Sequence, residues 1–303
     1  MVELDFVYRS YKPLLLSIAY RMLGSVAQAE DLVQDVFVTV QQQRLYKDDT
    51  SVSNCKAYLC KMITNRCLDF LKSNRFKRET YVGPWLPEPL VEPYADPSGA
   101  GASLHQDPLQ TVLLEDTISY AFLILLDQLT PVERAVFILR EAFEFDYHDI
   151  AHFVDKTEPG CRKIYSRLKR KIQAEPAADQ IPGSQHKLLV TSFLQAVSTG
   201  DMEKLLALLS DDIVLYSDGG GKVLAAVKPI TSSQRVIGFI QGILSKSTGT
   251  ETFQLVKING EPGFIISGPS EPFPTVVSLA FIKGKIGRIY LIRNPEKLQH
   301  LHL

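Results

Sequence analysis

Between residues 156 and 171 the chain carries Lys156, Arg162, Lys163, Arg167, Lys169, Arg170 and Lys171 against Glu158 alone. Cations at this density, with the hydroxyl of Ser166 among them, donate hydrogen bonds to acceptor-rich or anionic surfaces. At about 100° per residue, Cys161, Ile164, Leu168 and Ile172 fall on one helical stripe. Lys163, Ser166 and Arg170 point away from it, flanked by Arg162, Arg167 and Lys169. An apolar back and a donor-rich front are what a helix needs to sit on a small domain and enter a major groove. A second basic cluster, Lys56, Lys61, Arg66, Lys72, Arg75, Lys77 and Arg78, is opposed by Asp69 and Glu79. The net charge over 303 residues is only −1. Two local basic patches on a near-neutral chain suit DNA contact at two places, with acidic surface left for a protein partner. Metal chemistry is not indicated. Cys55, Cys60, Cys67 and Cys161 form no C-x-x-C pair and have no nearby histidine set, so reduced, mostly buried thiols are expected.

These donors need elements to hold them. Residues 149–172 read as a short helix, a tight turn and a second helix. Asp146 or Asp149 can cap the first, and Ile150, Ala151, Phe153 and Val154 give it an apolar face. Thr157 is a good N-cap for the second, with Glu158 favourable to the helix dipole and Pro159 tolerated in the first turn. Ahead of it, 129–141 (LTPVERAVFILRE) opens with Thr130, Pro131 and Glu133, a capping-box start. The first 80 residues read as helical, with segments at 6–22, 27–43 and 54–77. In the second, Leu32, Val33, Val36, Phe37 and Val40 make a core stripe, while Asp31, Gln34, Asp35 and Val38 project on the other side.

Composition changes at residue 83. Six of the seventeen prolines lie in 83–108, so that segment reads as a linker without a regular element. It also holds the single tryptophan, Trp85, which a free linker has little use for; docking on a neighbouring domain is expected. After a polar connector, helices at 186–199, 202–209 and 233–245 accompany β-rich runs at 213–217, 223–227, 253–258, 263–267, 275–282 and 286–292. Helices followed by an antiparallel meander predict an α+β domain with a curved sheet wrapped around a helix pair. The predicted boundaries are 1–80, a linker at 81–108, 109–173, a connector at 174–185, and 186–303. The fold class is therefore multidomain: two all-α domains, the second with the helix-turn-helix, then an α+β domain. The acidic N-terminus lacks a signal-peptide layout and no apolar run approaches bilayer length, which predicts a cytoplasmic protein without a membrane partner.

The order of these motifs resembles the extracytoplasmic-function sigma factors, the smallest class of bacterial sigma-70 type initiation factors. AEDLVQDVFV at 29–38 is similar to their core-polymerase-binding segment, which implies that Asp31, Gln34 and Asp35 meet polymerase, with Phe37 supporting them from the core. AYLCKMITNRCLDFLKSNRFKR at 57–78 is similar to their −10-element helix, including Asn65 and Asp69 as Asn-x-x-x-Asp. Asn65, Asp69, Arg75, Lys77 and Arg78, with the loop 47–53, are the implied −10 contacts. The segment 129–141 and the helix-turn-helix are similar to their −35-reading domain. That implies base contacts by Arg162, Lys163, Ser166 and Arg167 and phosphate contacts by Lys169 and Arg170, with Thr157 opening the helix.

The remainder resembles the branch with a fused SnoaL-like (NTF2-like) C-terminal domain. WLPEP stands at 85–89, DGGGK at 218–222, and NPEKL at 294–298 in place of NPDKL. The glycines of DGGGK allow positive φ and a tight turn; as a phosphate loop the motif fails, since neither the spacing nor a following helix is present. Read with its two companion signatures, it suggests an inter-domain latch built from Trp85, Leu86, Pro87, Asp218, Gly219, Gly220, Gly221, Lys222, Asn294, Pro295, Glu296 and Lys297. The resemblance implies core RNA polymerase and promoter DNA as partners, regulation by the fused domain in place of a separate anti-sigma factor, no cofactor and no metal. Two other readings stand beside it. A curved sheet could enclose a pocket for a small-molecule ligand, making a ligand-sensing DNA-binding regulator. SnoaL-like folds also resemble isomerases and polyketide cyclases, for which Asp212, Tyr216, Asp218 and Tyr290 supply residue types but no distinctive spacing.

Overall fold

The structure, a computed structural model, describes residues 2–43, 55–73, 80–94, 118–174, 183–246, 249–269, 273–299 and 301. The chain forms two compact units. One joins Met1–Glu79 to Leu123–Glu175; the other joins Thr80–Phe122 to Pro176–Leu303.

The first unit is helical. Helix α1 (Val2–Leu23) stops where Gly24 takes φ +69°, and its amide closes on the Tyr20 carbonyl at 2.7 Å. The Ser25 hydroxyl then accepts from the Gln28 amide at 3.3 Å and opens α2 (Val26–Gln43). Leu15, Ile18 and Met22 of α1, Val33, Val36 and Val40 of α2, and Leu59, Ile63 and Cys67 of α3 (Cys55–Ser73) are buried in this bundle. Helix α4 (Tyr120–Asp127) crosses the boundary between the units, which falls after Phe122. Then come α5 (Pro131–Glu141), α6 (Tyr147–Val154) and α7 (Glu158–Ala174).

Sequence alone drew a boundary between a helical domain at 1–80 and another at 109–173. In space α1 packs on α5 and α3 packs on both α5 and α6, so their helices share one compact unit. The joint is polar. Arg134 of α5, only 4% exposed, donates through Nη1 to the Met22 carbonyl at 2.6 Å and through Nη2 to Asp127 at 2.8 Å. Met22 lies in the last turn of α1, where carbonyls lack helical partners and a cation is favourable. Lys61 meets His152 at 3.0 Å, and Arg21 and Lys56 lie over the rings of Phe143 and Phe145.

The second unit is a sheet backed by helices α8 (Gly183–Thr199), α9 (Met202–Leu208) and α10 (Ser233–Leu244). Asp201 caps α9 by accepting from the Lys204 amide at 2.9 Å. The strands are β1 (Val91–Pro93), β2 (Leu209–Asp218), β3 (Ile230–Thr231), β4 (Thr252–Ile258), β5 (Glu261–Ser267), β6 (Thr275–Ile282) and β7 (Lys285–Ile292), in the spatial order β1-β4-β5-β6-β7-β2-β3. One face alternates Leu215, Ile289, Val277 and Phe264 into a single apolar core with Val190 and Phe193 of α8, Leu205 of α9, and Val236 and Ile240 of α10. This is the α+β class expected.

Three local expectations change. The meander β4–β7 is antiparallel, but β2 joins β7 in parallel, because the chain leaves β2 through β3 and α10 before the meander begins. The apolar run 223–227 is not a strand: Leu224 and Val227 are exposed, and the segment follows a glycine turn without a pairing strand among the described residues. Finally, the proline-rich segment read as lacking any regular element contributes β1, antiparallel to β4 with Val91 opposite Ile258. Pro93 is tolerated there because β1 is an edge strand, where a missing N–H breaks no ladder on its outer side.

Candidate nucleic-acid interface and linker anchor

The helix-turn-helix forms from its local signals. Asp146 accepts from the Asp149 amide at 2.8 Å and caps α6; the alternative cap, Asp149, is the donor in that bond. Asp155 turns the chain with φ +52°, and the Lys156 amide returns to the Ala151 carbonyl. Thr157 then caps α7, its hydroxyl accepting from the Gly160 amide at 3.2 Å. Cys161 and Leu168 are buried against the unit, while Arg162, Lys163, Ser166, Arg167, Lys169, Arg170 and Lys171 are exposed.

Two of the arginines are already engaged. Arg162 pairs with Glu158 and lies over the Tyr147 ring at 4.5 Å. Arg167 pairs with Glu133 of α5. Partial burial pushes the Glu133 carboxyl up, and bonds from the Thr130 hydroxyl and amide, with Arg167, more than offset this and hold it below its ordinary range. Lys169 donates to the Tyr165 hydroxyl at 3.3 Å. Lys163, Ser166 and Arg170 make no side-chain hydrogen bond or ion pair with another described residue.

On α2, Asp31, Gln34 and Asp35 are exposed and Phe37 is buried, its ring edge against Tyr8 at 4.7 Å. Asp35 is reached by Arg66 of α3 at 3.5 Å, and Arg66 also donates to Thr39 at 2.7 Å. Asn65 is half-buried; Asp69 is exposed and faces Lys72 at 3.5 Å. Arg75, Lys77, Arg78 and the loop 47–53 lie outside the described residues.

In the second unit the three short signatures meet around Asp218, at the end of β2 and fully buried. One carboxylate oxygen accepts from the Tyr81 hydroxyl at 2.6 Å and the Gly220 amide at 3.0 Å; the other accepts from the Leu86 amide at 2.8 Å and Lys297 Nζ at 2.6 Å. Lys297 also donates to the Leu86 carbonyl and lies 4.2 Å from the centre of the Trp85 ring and 5.0 Å from that of Tyr81. Both backbone polar groups of Leu86 are thus held by one buried ion pair. Residues 86–91 are buried in succession.

Asn294 caps the short 3-10 turn Pro295–Lys297 through the Glu296 amide at 3.1 Å and donates to the Tyr81 hydroxyl at 2.8 Å. Burial first, then the bond to Asp218, pushes the Tyr81 phenol well above its ordinary value. Lys222 pairs with Glu296 at the exposed rim, and Pro87 donates nothing but offers its carbonyl to Tyr120 at 2.6 Å.

The glycines of DGGGK have steric reasons. Gly220 takes φ +60°, and a Cβ there would stand 2.3 Å from Asn294 Nδ2. At Gly219 it would stand 2.5 Å from the Val223 carbonyl oxygen; Gly221 takes φ +71°. Gly220→Ala is therefore expected to cost about 1–3 kcal/mol through overpacking and a strained φ. The check is the emission of Trp85, the single tryptophan, which should shift to the red as the ring becomes wetter; an unchanged spectrum and melting curve would contradict this account of the motif.

Sequence reading missed several of the anchor's members. Tyr81 carries no signature of its own. The Asn259-Gly260 turn gives the best local clue, since both take positive φ between paired strands; Asn259 clasps Leu90 through Leu90 N–H to Oδ1 at 3.1 Å and Asn259 N–H to the Leu90 carbonyl at 2.8 Å. Tyr120 packs edge-on against Tyr290, which stacks on Tyr216.

The residues considered for acid–base chemistry do not all converge: Tyr216 stacks on Tyr290, but the Asp218 carboxylate is taken up by the anchor. Register places Tyr216, Asp218 and Tyr290 on the sheet face opposite the apolar core, and Asp212 is exposed. A bond from Ser210 lowers the Asp212 carboxyl, whereas burial raises Glu261, to about 7. Among the described residues no cluster of His, Cys, Asp and Glu could hold a metal, and no helix is long and apolar enough to cross a membrane.

Residues 7–77 match the family model for sigma-70 region 2. In an alignment 293 residues long that covers 93% of this chain and 89% of the relative, the sequence is 31% identical to the ECF RNA polymerase sigma factor SigJ of Mycobacterium tuberculosis. It is 28% identical over 295 residues to the probable ECF RNA polymerase sigma factor SigI of the same organism, covering 97% of this chain and 94% of that one. The crystal structure of M. tuberculosis SigJ superposes with a TM-score of 0.76 at 26% identity over 98% of each chain. With the helix-turn-helix and the fused α+β unit in place, this similarity puts the chain in the ECF RNA polymerase sigma factors, a family of transcription-initiation factors and not of enzymes.

Proposed function

We propose that the chain directs core RNA polymerase to particular promoters and that its own C-terminal unit sets how readily it does so. In this reading α7 presents Arg162, Lys163, Ser166 and Arg167 to −35 bases and Lys169 and Arg170 to phosphates. Asn65 and Asp69 on α3 face the −10 element, and Asp31, Gln34 and Asp35 on α2 meet polymerase over a buried Phe37. The observation that carries the regulatory part is the capture of Leu86. Asp218 and Lys297 hold its amide and carbonyl, so the segment that leaves the first helical region is fastened to the fused unit rather than left as a spacer. That fastening supports regulation within one chain, without a separate anti-sigma factor, in the cytoplasm where polymerase acts.

Run-off transcription with core RNA polymerase tests the proposal, comparing the full chain with one ending at Glu175. Truncation removes the partners of Leu86 and Leu90 and the Tyr290 ring beside Tyr120, so the expected result is promoter-dependent initiation by the full chain that changes severalfold on truncation. Equal activity of both forms would remove regulation by the fused unit. Absence of core binding and initiation in both would remove the promoter reading itself.

A further inference from the structure

The arginines at the front of α7 are not held alike. Arg162 pairs with Glu158 on its own helix and lies over the Tyr147 ring of α6, with no carboxylate of another element to fix it among the described residues. Arg167 is held from another element: its Nη2 donates to Oε1 of Glu133, in the first turn of α5. Glu133 is itself fixed, because its other oxygen accepts from the Thr130 amide at 3.0 Å and the Thr130 hydroxyl at 2.7 Å. The carboxylate is 19% exposed, while the Arg167 side chain is 62% exposed. Phe137 of α5 stacks on Tyr165 of α7 at 5.9 Å, a second contact between the two helices. The guanidinium is thus tethered at one nitrogen to a capping carboxylate, and no other hydrogen bond of it to a described residue is formed.

We propose that Glu133 is a positioning residue for promoter recognition: it orders Arg167 before DNA arrives and makes that side chain the principal specificity determinant of α7. This rests on the reading that α7 enters the major groove. An arginine reads guanine through two parallel N–H bonds to O6 and N7, a geometry that a free side chain must give up rotamer entropy to reach. One N–H on Glu133 leaves enough donors for that fork and removes part of the ordering cost. Lys163, Ser166 and Arg170, without such a tether, supply adaptable contacts.

The test uses the full chain with core RNA polymerase, measuring affinity for a −35 element in which each base pair is changed in turn. Arg167→Ala is expected to lose about tenfold of discrimination at one base pair. Arg167→Lys should lose the same preference while keeping affinity for unrelated DNA, since the charge stays and the fork goes. Glu133→Gln retains a capping-box side chain but puts an amide where Arg167 needs an acceptor. It should lose about threefold to tenfold at that same base pair, and add nothing when combined with Arg167→Ala. The fold should be retained with only a small fall in melting temperature, since the charged carboxylate is favoured in the fold. The proposal is overturned if Glu133→Gln leaves discrimination intact, weakens every sequence equally, or adds in full to Arg167→Ala. If Lys163→Ala, Arg167→Ala and Arg170→Ala all leave −35 preference and affinity unchanged, the groove reading fails, and this inference with it.

Discussion

Asp218→Ala should lower the stability of the C-terminal unit by about 3–5 kcal/mol, the cost of removing one partner of a buried ion pair and leaving the other charge unpaired. The carboxylate is fully buried and satisfies Tyr81, Leu86, Gly220 and Lys297 together. Without it, the Lys297 ammonium keeps only the Leu86 carbonyl and the faces of Trp85 and Tyr81, contacts that offset part of the cost of a buried charge but do not neutralise it. The Leu86 amide loses its acceptor, so the segment through Leu90 should come loose before the sheet melts. Hydrogen exchange at the Leu86 amide and the emission of Trp85 report this directly. The double variant Asp218→Asn with Lys297→Met removes both charges and should recover part of the loss. Retained Leu86 protection in Asp218→Ala would show that the buried pair is not what fastens the segment.

Arg134→Ala is expected to loosen the first unit by about 2–4 kcal/mol, from hydrogen bonds that a charged donor makes to buried acceptors. The guanidinium joins the end of α1 to α4 and α5, and nothing else described replaces it at the Met22 carbonyl. The residual ties between the halves are Lys61 with His152 and two cation–ring contacts, polar and weak once water enters. Fluorophores on α2 and α7 should therefore report a larger mean separation in the variant, with less denaturant needed to separate them. An unchanged distance and midpoint would mean that apolar packing of α3 on α6 alone holds the joint. The promoter reading gives this joint a consequence: if polymerase takes only the separated form, Arg134→Ala should bind core more tightly, because a larger fraction of the free chain is competent.

The sequence determined by itself whatever depends on neighbours along the chain. Caps are local chemistry, so Thr130 with Glu133 and Thr157 could be assigned from side-chain type and spacing, and the cap of α6 narrowed to Asp146 or Asp149. Helical periodicity likewise gave the buried Cys161 and Leu168 and the exposed front of α7, since one face of a regular helix must meet the core. The α+β character of the last third followed from the change of hydrophobic period.

Tertiary structure decided what depends on partners far along the chain. Proline content made 83–108 look like a spacer, yet Val91–Pro93 forms an edge strand because β4 offers it a ladder. Apolar, β-rich composition made 223–227 look like a strand, and no described strand pairs with it. Three signatures separated by up to about two hundred residues were legible as a group, but not that Asp218 and Lys297 would grip one peptide unit, nor that Tyr81 would bridge Asp218 and Asn294. Nor could periodicity reveal that α3 packs on α6, or that the acid capping α5 would hold an arginine of α7. A buried ion pair is bought with desolvation that only long-range packing can repay, so its members are found in the fold and not in the spacing.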